Sequence, residues 1–134
     1  MIVLFGPAGS GKSTQGQKLA SARGWKWLSV GQVLRDTGEF AETLKTGNLV
    51  DDATVVRLMN EQIEKAQNEG LKIVLDGYPR DIEQTEIMLS DSESKFFSDL
   101  KLAIILDVPR EELWKRIEAR QREDEAKGMV YLRL

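Results

Sequence analysis

A chain of 134 residues, 41% apolar and 31% charged, suffices for one domain with a buried core and has a globular rather than a disordered or membrane-spanning composition. Nineteen Lys and Arg against 22 Asp and Glu give a net charge of −3. That excludes strong long-range attraction to nucleic acid or anionic membrane and leaves phosphate binding to individually placed residues. Cys and His are both absent, which rules out disulfides, thiolate zinc sites and imidazole bases, so any metal must be held by oxygen.

The opening run Ile2 to Phe5 is apolar and stopped by Gly6. It is far too short for a signal-peptide core or a membrane span, and a cytoplasmic protein is expected. It reads instead as a strand buried on both faces, as in a parallel sheet. A helix follows over Ser13 to Arg23. Trp25 to Val30 is a more amphipathic strand, with Trp25, Trp27 and Ser29 on one side and Lys26, Leu28 and Val30 on the other. Residues 31–70 form an insertion without a buried strand and with two helices. The second is capped by Asp51 or Asp52, lined by Val55, Val56, Met59, Ile63 and Ala66, and ended by Gly70.

The buried-strand pattern returns at Ile73 to Asp76, followed by a helix over Ile82 to Leu89, and at Ala103 to Asp107, followed by a helix over Arg110 to Lys127. Between them, Ser90 to Lys101 is a surface loop anchored by Phe96 and Phe97. The expected architecture is a single three-layer α/β/α domain over 1–134. It has a parallel sheet of strand order 2-3-1-4, an inserted acceptor lobe at 31–70 and a reduced lid at 120–128.

The segment Gly6-Pro7-Ala8-Gly9-Ser10-Gly11-Lys12-Ser13 matches the P-loop pattern G-x-x-x-x-G-K-[ST] in full, between a strand and a helix as its mechanism requires. Its backbone N–H groups, with the helix N-terminus and Thr14, would cradle phosphates. Lys12 would reach the β- and γ-phosphates, and Ser13 would give one oxygen to Mg²⁺. A Gly-rich turn with a surface lysine is the bland alternative, and the flanking elements weigh against it.

Further stretches resemble the adenylate kinase branch of the nucleoside monophosphate kinases: Leu28 to Arg35, Gly47-Asn48-Leu49-Val50, Leu75-Asp76-Gly77-Tyr78-Pro79-Arg80 with Gln84, and Leu106 to Pro109 leading to Arg116 and Arg120. The resemblance implies an ATP- and Mg²⁺-dependent transfer to a nucleoside monophosphate, AMP foremost. It implies that Gly31 and Arg35 bind the acceptor and its phosphate, and that Asn48, Leu49 and Val50 line the acceptor base and ribose. Asp76 holds Mg²⁺ through water, Gly77 belongs to the acceptor site, Arg80 binds the acceptor phosphate, and Gln84 hydrogen-bonds the base. Arg116 covers the ATP adenine. Arg120, Arg122 and Arg133 meet the transferring phosphates.

Phosphoryl transfer spreads negative charge and asks for this set of cations, with no general base in principle. A surface arginine is otherwise usually only solvated, Asp76 could be a mere helix cap, and Trp25, Trp27 and Trp114 read as packing residues. Against the family, Ser13 replaces a Gly while Thr14 keeps the usual hydroxyl, Val30 replaces a Thr, and Gln32 replaces an Asp. The chain reads as a shortened form lacking the usual C-terminal strand and helix, with Met129 to Leu132 available to pair a sheet edge and favour self-association. The other functional readings are a non-catalytic ATP-binding module from a truncated kinase and a P-loop kinase for another small acceptor.

Overall fold

In the computed structural model, residues 1–40, 43, 48–90 and 96–126 are described. Four strands, β1 (Ile2–Phe5), β2 (Lys26–Ser29), β3 (Ile73–Asp76) and β4 (Leu102–Ile105), form one parallel sheet in the order β2-β3-β1-β4. This is the expected order. The interior strand β3 is the most deeply buried, and its Ile73, Val74 and Leu75 are no more than 1% exposed.

The helices are α1 (Lys12–Arg23), α2 (Val30–Thr37), α3 (Asp52–Asn68), α4 (Ile82–Ser90), the single turn α5 (Phe96–Asp99) and α6 (Arg110–Ala126). Alternate strand residues feed two core clusters. Val3, Leu28 and Leu75 meet Val33, Leu34, Val55, Met59, Ile63 and Met88 of α2, α3 and α4 on one face. Leu4 and Val74 meet Ala20 of α1, Trp25, Trp27 and Ile104 on the other. Each fully buried aliphatic side chain contributes about 1.5–3 kcal/mol. No described helix is long and apolar enough to cross a membrane.

Several boundaries differ from expectation for identifiable reasons. Val30 opens α2 instead of closing β2, because Ser29 Oγ accepts the Gln32 backbone N–H at 3.2 Å and caps the helix there. The alternation of Trp25 and Trp27 against Leu28 and Val30 across the sheet nevertheless holds. Asp51, rather than Asp52, caps α3, its Oδ1 accepting from Thr54 N at 2.9 Å. The stretch expected to be all loop contains α5, and residues 91–95 lie outside the described residues.

Strand β4 was expected to be buried on both faces. It sits at the sheet edge, with Leu102 50% and Ile105 74% exposed, because α6 packs beside the P-loop instead of along it. Trp114 is 51% exposed and so is no core residue. Arg133, the segment Met129–Leu132 on which self-association was argued, and the end of the reduced lid (Lys127, Gly128) lie outside the described residues.

Candidate active site

The loop from Gly6 to Gly11 turns the end of β1 directly into α1. Gly11 caps α1 in the left-handed conformation without a side-chain hydrogen bond, and the first turn carries no acidic residue. The orphan N–H groups and the positive end of the helix are therefore left open to an anion. Two glycines are sterically required. A Cβ on Gly6 (φ 150°) would lie 2.8 Å from both Leu106 O and Ser10 Oγ, and one on Gly9 (φ 80°) would lie 3.2 Å from Ile117 Cγ1 and Leu113 O of α6. The Ser10 hydroxyl is buried without a hydrogen-bond partner.

Lys12 Nζ folds back over the loop, donating to Gly6 O at 2.5 Å and Pro7 O at 3.1 Å. Burial lowers its pKa below the ordinary lysine value, Asp76 opposes that shift, and Arg80 adds to it. Gly77 lies against Lys12, since a Cβ there would be 3.4 Å from Lys12 Cε.

Asp76, at the C-terminal end of β3, is 5% exposed. The parallel register sets it beside Leu4 at the end of β1, and Gly77 N donates to Leu4 O at 2.9 Å. Ser13 Oγ donates to Asp76 Oδ2 at 2.5 Å. A hydroxyl and a carboxylate joined this way, at the edge where α/β sheets bind ligands, are hard oxygen donors suited to Mg²⁺. Among the described residues no three His, Cys, Asp or Glu side chains converge on one point. An ion here would therefore need further oxygens from a phosphate ligand and water.

Arg116 and Arg120, one turn apart on α6, line a pocket of about 410 Å³ over Gly9 to Thr14. The same two arginines border a cleft of about 630 Å³ with Ser13, Thr14, Gln32 and Arg35. Arg116 is steered by Glu112 (2.8 Å) and by Gly9 O (3.4 Å). Arg35 donates to Gln32 Oε1 at 3.0 Å, and Gly31 leaves it room, since a Cβ there would lie 3.3 Å from Arg35 Nη1. The cradle thus faces arginines from two other elements across one space.

Other expected residues lie elsewhere. Arg122 does not border the cleft and reaches Glu118 at 3.9 Å, because two residues along a helix turn it about 200° from Arg120. Asn48 and Leu49 are exposed, Leu49 by 91%, while Val50 packs against the larger core cluster. Arg80 is not among the residues of the cleft and borders a separate groove with Phe5, Asp81, Ile82 and Leu89. Gln84 is 3% exposed, with its amide engaged at both ends by the chain.

Sequence reasoning missed Glu123 and the cleft-lining position of Trp27. Glu123 lies seven residues beyond Arg116, a spacing that returns to the same helical face and could have revealed it.

A sequence profile described as adenylate kinase matches residues 4–134. The adenylate kinase of Maricaulis maris is 34% identical over 144 aligned positions, which cover 99% of this chain and 76% of that protein. The adenylate kinases of Prochlorococcus marinus subsp. pastoris and Thermus thermophilus are 32% and 31% identical, each over 99% of this chain and 74% of their own length. Similarity of this extent, on a sheet and phosphate cradle arranged as described, makes the chain a member of the adenylate kinase family of ATP:nucleoside monophosphate phosphotransferases.

Proposed function

We propose that the chain transfers the γ-phosphoryl group of Mg²⁺-bound ATP to AMP, giving two molecules of ADP. The observation that carries this reading is the cleft in which the P-loop and the Ser13–Asp76 pair face Arg35 of the acceptor lobe and Arg116 and Arg120 of α6. AMP as the acceptor is supported by the names of the relatives.

The chain's part is positioning and charge. The open N-terminus of α1 and Lys12 bind the donor phosphates, with Lys12 turning from Gly6 O and Pro7 O toward them. Ser13 and Asp76 would hold Mg²⁺, directly or through water, and the ion would supply positive charge to neutralise the donor phosphates. Arg116 and Arg120 close over the donor from α6. Arg35 and Arg80 grip the acceptor phosphate so that its oxygen lies in line with the γ-phosphorus. Holding two polyanions in that alignment removes much of the barrier, because the entropy cost of alignment is met on binding. The acceptor oxygen forms a bond to phosphorus as the bond to the β-phosphate oxygen breaks.

The test is ADP formation from Mg-ATP with AMP, CMP, UMP, GMP and dTMP offered separately. AMP is expected to give the highest kcat/KM. A protein that binds ATP but forms no ADP with any of them would contradict the reading, and a different best acceptor would correct the substrate.

A further inference from the structure

Arg35 enters the cleft from α2, and its own helix holds its guanidinium. The group lies over Gly31, where a Cβ would stand 3.3 Å from Nη1 and 3.9 Å from Nη2, and Nη2 donates to Gln32 Oε1 at 3.0 Å. Gln32 Nε2 in turn donates to Asp36 Oδ1 at 2.6 Å. The amide is a bridge, with the arginine on its carbonyl and the carboxylate on its NH₂ group. Gln32 also stands between two spaces. Arg35 borders the cleft with Ser13, Arg116 and Arg120, Asp36 borders a separate pocket of about 490 Å³ with Lys26, Val33 and Gln62, and Gln32 borders both.

A guanidinium is matched best by a carboxylate, which takes two of its N–H groups at once and offsets its charge. Arg35 has no such partner among the described residues. Asp36, next in sequence, is turned about 100° from it around the helix and meets it only through the amide. The neutral Gln32 takes one N–H and narrows the rotamers of a long, flexible side chain. The positive charge and the other donors stay available to an anion in the cleft.

We infer that Gln32 is a positioning residue for the acceptor phosphate, aiming Arg35 into the cleft without neutralising it, with Asp36 anchoring the amide from behind. The inference rests on the reading of Arg35 as a grip on that phosphate. Gln32 acts through Arg35 and needs no contact with the nucleotide. A carboxylate in its place would offset the charge of the guanidinium, and a phosphate would have to displace or share it. These bonds are exposed to water, where such side-chain pairs on a helix are individually weak, so the expected effect is modest in size.

AMP and adenosine differ by the phosphate alone, and the ratio of their dissociation constants, measured by calorimetry, reports the grip on it. The ratio is compared in the wild type, Gln32→Met, Gln32→Glu, Arg35→Ala and the double variant Gln32→Met/Arg35→Ala. Melting temperature reports on the fold. Gln32→Met keeps the side-chain length without either hydrogen bond. It is expected to reduce the preference for AMP over adenosine by about 2- to 12-fold, the cost of ordering one flexible side chain on binding. Gln32→Glu is expected to reduce it at least as far, because its charge offsets that of Arg35. Once Arg35 is removed, Gln32→Met is expected to change nothing further. A Gln32 that merely supports α2 would weaken AMP and adenosine together, or cost as much without Arg35 as with it, and either result overturns the inference. A ratio lowered by Arg35→Ala but unchanged in both single Gln32 variants overturns the inference alone. A ratio unchanged by Arg35→Ala overturns the reading of Arg35, and this inference with it.

Discussion

Lys12 lies half-buried over the phosphate loop, and its titration follows from that burial. Burial makes the ammonium costlier than in water, Asp76 offsets part of that cost, and Arg80 adds to it, so the pKa lies below the usual lysine value. The folded protein thus loses this proton at a lower pH than the unfolded chain does. Lys12 costs stability at neutral pH, where both states are charged, and the cost is relieved only as pH rises from the folded pKa to the ordinary one. The kinetic counterpart is an alkaline limb in kcat/KM for ATP, which reports the free enzyme. Its midpoint is expected below the ordinary lysine pKa of about 10.4. A flat profile up to that value would show that the free cradle does not depress Lys12. The place of Lys12 in the loop was legible in its motif, but its lowered pKa was not, since its burial comes from the tertiary fold.

Among the elements, α6 meets the phosphate loop at Gly9. Leu113 and Ile117 lie against Gly9, and that contact sets where Arg116 and Arg120 stand over the loop. Gly9→Ala would place a methyl group 3.2 Å from Ile117 Cγ1 and Leu113 O, at a φ of 80° that side chains disfavour. Displacing the arginines by about 1 Å is expected to cost up to about 10²-fold in kcat/KM for ATP. Adding Ile117→Ala removes one of the two clashes, so the double variant should recover part of the loss. Additive losses would mean that strain within the loop, and not the α6 seam, is responsible.

The α6 arginines were readable from their one-turn spacing, and the same periodicity puts Arg122 on the opposite face and Glu123 in the cleft. The cap that moves Val30 into α2 was harder to read, since a Ser beside a strand of alternating pattern gives no warning that it will hold a helix. Gln84 could be placed by its distance from Arg80, whereas its bond to Asp52 joins elements 32 residues apart and exists only once α3 and α4 pack together.

For the whole molecule, the parallel sheet was legible because β1, β3 and β4 each carry a continuous apolar run, the composition of strands in a parallel sheet. The exposure of β4 was not, because its Leu102-Ala-Ile-Ile105 sequence has the same apolar character, and the difference lies in where α6 packs. The net charge of −3 hides a cleft that gathers Arg35, Arg116 and Arg120 beside Lys12 and Asp76. Function on this account is the local use of a few cations on an otherwise acidic protein. The most direct measurement follows the phosphoryl group itself, with ATP labelled at the γ-position, unlabelled AMP and Mg²⁺, in the wild type and in Lys12→Ala. The account predicts label in the β-phosphate of ADP formed from AMP, at a rate reduced by about 10²-fold or more in a Lys12→Ala protein that remains folded. Label released only as inorganic phosphate, or transferred equally fast without Lys12, would contradict it.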